Sequence, residues 1–165
     1  MKISWQFFLK EELSGLERLV VLGTGNALKA DDAAGLLVAN LLDHQLNRRQ
    51  KSRIKVLRAY EIIDTYLKRI KRLKPSHLII VDAIDLNKHP GTILVTKIEM
   101  GKKKRKKIGG EFYSFLEKLS TETACKIYLV GIQPETLEFG HPITAEVKEA
   151  SRKITDFISE LVPKK

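Results

Sequence analysis

With Cys125 its only cysteine in 165 residues, the chain has neither an internal disulfide nor a cysteine-built zinc cage. Cys125 opens an apolar run, where a buried thiol with a packing role is expected rather than a nucleophile. No apolar run approaches the ~20 residues that span a bilayer, so no membrane partner is expected. The first residues lack a signal peptide's apolar centre, because Lys10, Glu11 and Glu12 interrupt it; a cytoplasmic location is expected. The Gly-x-Ser-x-Gly of acyl-enzyme hydrolases is missing. So is any pair of histidines four residues apart with a glutamate between them, the zinc-helix pattern. His44 falls in a helical stretch, His77 at the start of a strand, His89 in a Pro-Gly turn and His141 before Pro142, so each reads as a surface or turn histidine rather than a ligand. Asparagine and glutamine are few while Lys, Glu, Arg and Ile abound, a usage that resembles heat-adapted chains.

What is present is a basic, moderately apolar chain. It has 30 Lys and Arg against 20 Asp and Glu, a net charge of +10, and 43% hydrophobic residues. That length and apolar content fit one compact domain with a real core. Residues 1–17 read as an N-terminal helical extension packed on the outside of that domain. Lys102-Lys103-Lys104-Arg105-Lys106-Lys107 lies between Gly101 and Gly109-Gly110, so residues 101–110 read as a basic flexible loop. The run is either a solvated loop or an electrostatic contact to nucleic acid or an acidic protein. No aromatic is interleaved with it, which removes the stacking half of a single-strand binding surface, and nucleic acid is not the expected partner.

Apolar periodicity predicts a helix over Trp5 to Gly15, with Trp5, Phe8, Leu9 and Leu13 on one stripe. Strand Leu19 to Leu22, helix Asp32 to Leu46, strand Ile54 to Leu57, helix Ile63 to Leu73 and strand Leu78 to Val81 then alternate. After the Pro90-Gly91 turn come an edge strand over Thr92 to Lys97, a helix over Glu111 to Leu119, a strand over Lys126 to Val130 and a closing helix over Thr144 to Leu161. Strands alternating with helices imply right-handed crossovers. The expected fold class is α/β: a single domain with a twisted, mostly parallel sheet of about five strands and helices on both faces.

Two of these buried strands deliver carboxylates to their ends. Val20-Val21-Leu22-Gly23-Thr24-Gly25 leads to Asp31-Asp32, and Leu78-Ile79-Ile80-Val81 leads to Asp82. Ligands of open α/β sheets bind outside the carboxyl ends of the strands, so parallel neighbours would bring both acids to one cleft. Gly23-x-Gly25 invites a dinucleotide reading. The third glycine is missing, however, and Asp31 and Asp32 would repel a pyrophosphate from the following helix end. Of the paired acids, Asp31 is assigned to capping that helix and Asp32 to the cleft.

Three motifs together resemble the hydrogenase maturation endopeptidases, which trim the C-terminal extension from the large subunit of nickel-iron hydrogenases. The resemblance runs from about Leu19 to Leu161. Gly23-x-Gly25-Asn26 with Asp31-Asp32-Ala33-Ala34-Gly35 looks like that family's first strand and helix start, and Val81-Asp82-Ala83 like its second acidic strand end. Gly131-Ile132-Gln133-Pro134-Glu135 with Pro142-Ile143-Thr144 resembles the formate-hydrogenlyase-associated branch.

The resemblance implies an aspartic-type endopeptidase acting on a nickel-loaded large-subunit precursor. It implies that Asp32 and Asp82 are both the catalytic acids and metal ligands, and that the nickel is presented by the substrate with no tightly bound cofactor. Other divalent cations can occupy such oxygen ligands. Two departures stand out. Where the family carries an acid followed by glycines, the chain reads Arg58-Ala59-Tyr60-Glu61-Ile62-Ile63-Asp64, and the position of the family's third ligand, a histidine, aligns with Glu111. Glu111 is accordingly either a third metal ligand or an exposed first-turn helix residue. These departures also leave open a non-catalytic binding module of the same fold that recognises the precursor or another acidic partner.

Overall fold

The computed structural model describes residues 4–60, 64–99 and 110–164. The hexabasic run and residues 101–109 of the flexible loop expected around it lie outside the described residues, while Gly110, expected in that loop, begins a helix. Five strands, β1 (Leu19–Thr24), β2 (Ile54–Ala59), β3 (His77–Ala83), β4 (Ile93–Lys97) and β5 (Lys126–Ile132), form one sheet in the order β2-β1-β3-β5-β4. All pairings are parallel except β4 with β5, which is antiparallel at the edge. The helices are α1 (Trp5–Glu12), α2 (Ala34–Gln45), α3 (Arg48–Arg53), α4 (Thr65–Leu73), α5 (Gly110–Glu122) and α6 (Ala145–Glu160).

The near-continuous apolar runs of the central strands are buried on both faces, as parallel strands require. Leu19, Val20, Val21 and Leu22 are all fully buried, and the period of two sorts them into two cores. Leu19, Val21, Ile79 and Val81 meet α1, α2 and α6 on one face. Val20, Leu22, Leu78 and Ile80 meet α4 and α5 on the other. Leu9 and Leu13 of the N-terminal segment are buried within the first core, so α1 is an integral layer rather than an outer extension. The Tyr128 hydroxyl fastens it by donating to the Glu12 carboxylate (2.8 Å), which Lys97 also reaches (2.7 Å). That pairing holds the Glu12 carboxyl below its usual range.

Three expectations need correction. Helix α2 starts at Ala34, preceded by a 3-10 turn over Ala30–Ala33, because the chain must first turn back over the sheet end. Helix α3 was not expected: Arg-Arg-Gln-Lys-Ser-Arg shows no apolar stripe. It is held by a reciprocal capping box between Asn47 and Gln50, whose buried side chain also donates to the Ser159 (2.7 Å) and Val162 (2.8 Å) carbonyls. His77 is not a surface residue but is 3% exposed, stacked on Tyr128 at 6.3 Å, with Nδ1 2.9 Å from the Ser76 hydroxyl. Its Nε2 has no partner among the described residues, and burial lowers its pKa, keeping the ring neutral. His44, His89 and His141 are exposed as expected. Cys125 is half-buried beside the Thr123 hydroxyl at 3.0 Å, and burial pushes its thiol up, away from nucleophile chemistry.

Candidate active site

Two glycines decide how closely α2 approaches the sheet. Gly35, in the first turn of α2, lies against the backbone of Thr24 and Val81, where a Cβ would collide with both carbonyl oxygens. Gly25 has φ +143° and turns the chain so tightly that a Cβ there would strike the Asp32 carbonyl. These two close approaches carry Asp32 over the end of β1. The register pairs Gly23 with Val81 and Asp82 with Gly131, which brings the ends of β1 and β3 to the same rim. The buried Thr24 hydroxyl donates to the Val81 carbonyl at 3.2 Å, tying the two strand ends together.

Asp32 and Asp82 thus line one cleft of about 540 Å³, with Thr24, Gly25 and Asn26 on the β1 side. Ala59 and Tyr60, at the end of β2, form a second wall, and Gly110, Glu111 and Phe112, at the start of α5, a third. All three acids singled out in the sequence therefore share the cleft. Glu111 is exposed, and among the described residues no three His, Cys, Asp or Glu side chains stand close enough to hold a metal ion together. Asp82 is the chemically distinctive group. Burial first, and the neighbouring Asp32 charge after it, push its carboxyl up from 3.8 to about 6, against the pull of Thr24 and of the Ala83 backbone. A carboxylate poised there can both take and return a proton near neutral pH.

Asp31 does not cap α2. Its fully buried carboxylate makes no helix-cap bond and reaches across the rim to the loop between β5 and α6. There it accepts from the Glu135 N–H (2.9 Å) and from the N–H of Thr144 (2.7 Å), the residue that precedes α6. Two neighbouring acids on a 3-10 turn point to opposite sides, one to the cleft and one to the framework. Gln133 has a similar framework role: its side-chain oxygen accepts from the N–H groups of Leu86 (2.6 Å) and Lys88 (3.2 Å), fixing the connection that follows Asp82. Tyr60, Thr24 and Phe112 were not singled out in the sequence. Nothing in their local pattern marks them, because only the parallel register puts their element ends beside Asp82.

The fold and the cleft define an α/β protein with paired acidic strand ends at the carboxyl rim of its sheet. A family model described as hydrogenase maturation protease matches residues 38–161, and the chain belongs to this family of peptidases, which act in hydrogenase maturation. The matched span includes Asp82 and Glu111 and begins just after Asp32. A Methanocaldococcus jannaschii protein provisionally named a hydrogenase maturation protease is 26% identical over 165 residues, covering 93% of this chain and 94% of its own. The hydrogenase 3 maturation protease of Escherichia coli K12 is 26% identical over 132 residues, covering 79% of this chain and 82% of its own. In fold, the chain is similar to the crystal structure of a NiFe hydrogenase maturation protease from Thermococcus kodakarensis KOD1. The TM-score is 0.79 at 24% identity, over 93% of this chain and 97% of that one.

Proposed function

We propose that the chain is the endopeptidase that removes the C-terminal extension from a nickel-loaded hydrogenase large-subunit precursor, as an aspartic-type enzyme of the cytoplasm. The observation that carries this reading is the convergence of Asp32 and Asp82 on one cleft, with the Asp82 carboxyl raised to about 6. In this scheme nickel arrives as part of the substrate. Asp32 and Asp82 offer it hard oxygen ligands and so place the adjacent peptide bond in the cleft, with Glu111 as the third ligand in place of the family's histidine. A water attacks the scissile carbonyl, a carboxylate takes its proton, and the same proton is returned to the leaving amine. Asp82 suits that step because its carboxyl holds a proton more readily than an ordinary one, which leaves Asp32 and Glu111 as the firmer grip on the nickel. The motif around Gln133-Pro134-Glu135 favours a precursor of the formate-hydrogenlyase-associated type.

Incubation of the purified protein with nickel-loaded precursor, followed by mass spectrometry, tests the reading. The expected product is a precursor shortened at its C-terminus, absent with Asp32→Ala. A binding-only role is the second reading, supported by Arg58, which donates to Asn40 (2.5 Å) and Asp43 (3.0 Å) where the family carries an acid followed by glycines. Precursor that binds the parent protein but stays intact would decide for it.

A further inference from the structure

Residues 48–74 carry eleven lysines and arginines against two acids, an excess of nine where the whole chain's excess is ten. The described part of that stretch is α3, β2 and α4, so much of this charge lies on the flank where β2 ends the sheet, although Lys71 pairs with Glu122 of α5 and Arg53 turns to the Glu17 carbonyl. Among the described residues β2 pairs with β1 alone, from Leu19↔Ile54 to Thr24↔Ala59, which leaves the hydrogen-bonding groups of its other side without a strand partner. A groove of about 240 Å³ follows that open side. Its floor is aliphatic, from Val56, Leu57 and Leu73, and its rim is cationic, from Lys51 of α3, Lys55 of β2 and Arg69 of α4. The single acid there, Asp43, is already paired with Lys51 (3.1 Å) and Arg58 (3.0 Å). At the far end of the same strand, Ala59 and Tyr60 are a wall of the cleft that holds Asp32 and Asp82. Six residues of strand at ~3.3 Å each make a continuous edge of roughly 20 Å from groove to cleft.

We infer that this edge is the track on which the substrate polypeptide lies: an extended, acidic segment with aliphatic side chains at alternate positions adds to β2 as a strand and continues past Tyr60 into the cleft. The inference rests on cleavage of a polypeptide in that cleft. An open strand edge supplies main-chain hydrogen bonds, and alternate side chains of an added strand face the floor and the rim in turn. The aliphatic floor selects a polypeptide over a nucleic acid, which has no aliphatic group to seat there and would ask for exposed aromatics beside the cations. Lysines on an edge strand also discourage edge-to-edge association. Here, though, Lys51 and Arg69 come from helices on either side of the strand, which frames a groove rather than a guarded edge.

The test uses fluorescence anisotropy at low salt with a labelled alternating Glu/Val peptide of about ten residues. Its comparators are a Lys/Val counterpart, the Glu/Val peptide N-methylated at alternate positions, and duplex DNA. The parent protein should bind the Glu/Val peptide at least about tenfold more tightly than the Lys/Val and N-methylated ones, and Lys55→Glu with Arg69→Glu should remove about tenfold of that affinity. The same double variant should raise KM for the precursor by about tenfold and leave kcat unchanged, since both residues lie outside the cleft. Equal binding of Glu/Val and Lys/Val peptides, undiminished binding of the N-methylated peptide, or a double variant that loses only DNA binding would each overturn the inference. The peptide measurement does not require cleavage. A parent protein that binds the Glu/Val peptide as expected but leaves the precursor intact therefore counts against the protease reading and not against the track.

Discussion

The carboxylate of Asp31 accepts hydrogen bonds from both the backbone N–H of Thr144 (2.7 Å) and its hydroxyl (2.9 and 3.0 Å), joining residues 113 apart in sequence. A backbone–backbone bond, from the Asp31 N–H to the Thr136 carbonyl (3.2 Å), ties the same turn to the same loop. The turn that carries Asp32 to the cleft is therefore held from behind by the loop between β5 and α6.

Removing that carboxylate should cost both stability and cleavage. Asp31→Ala leaves the partly buried N–H groups of Glu135 and Thr144 without their acceptor, a loss of roughly 1 to 3 kcal/mol. A lowered melting temperature with cleavage reduced even where the protein is folded is expected. Parental stability would show that water replaces the carboxylate at no cost.

Asp82 should make the fold less stable as pH rises. Its carboxyl sits at about 6 in the folded chain against 3.8 when unfolded, so the folded state holds the proton more tightly. The penalty is absent below about pH 4, grows through the interval and is complete above pH 6, at about 3 kcal/mol as an upper figure. Asp82→Asn should therefore melt higher than the parent at pH 7, match it near pH 4, and cleave nothing. The parent's cleavage rate should fall as pH drops through 6. A variant that keeps the parent's pH-dependent melting would place the titration on another group.

Glu111 should bear on substrate metal rather than on folding, because it is exposed at the mouth of the cleft. Glu111→Ala is expected to lower cleavage of nickel-loaded precursor with a change in melting corresponding to less than about 1 kcal/mol, the scale of a first-turn helix charge. Glu111→His should retain or improve cleavage, since nickel accepts imidazole as well as carboxylate. Parental turnover in Glu111→Ala would remove Glu111 from the proposed ligand set.

Gly35→Ala probes the framework alone. Its Cβ would be driven into the Thr24 and Val81 carbonyls, neither of which is a flexible side-chain end. Overpacking of this kind costs on the order of 1 to 3 kcal/mol and should displace α2 and Asp32 with it. Denaturant unfolding gives the stability. A crystal structure with α2 unmoved would remove the close approach from the account of the site.

Local pattern made much of this legible. Fully buried strands announced themselves as unbroken apolar runs such as Val20-Val21-Leu22 and Leu78-Ile79-Ile80, and their alternation with amphipathic helices was enough for a mostly parallel sheet, though not for the order of its strands. The strand-end acids were visible because an acid closing such a run has no place in a core. Helix α3 escaped because its pattern is polar throughout, although Asn47-x-x-Gln50 was a readable cap.

What the sequence by itself determined is the kind of element each segment forms and which acids stand at element ends, since propensity, period and burial are local properties. The division of labour between Asp31 and Asp32 is not local. Both are acids on one short turn, and only the arrival of Thr144, more than a hundred residues later, makes one of them a framework residue and leaves the other to the cleft. Tertiary structure likewise decided the acidity of Asp82, which comes from burial beneath neighbouring elements and from the charge of Asp32 brought near through space. It also set His77 against Tyr128 in the interior rather than in water, and brought the end of β2 to the cleft. Each depends on which surfaces meet, and that is settled by packing the whole sheet rather than by any one segment.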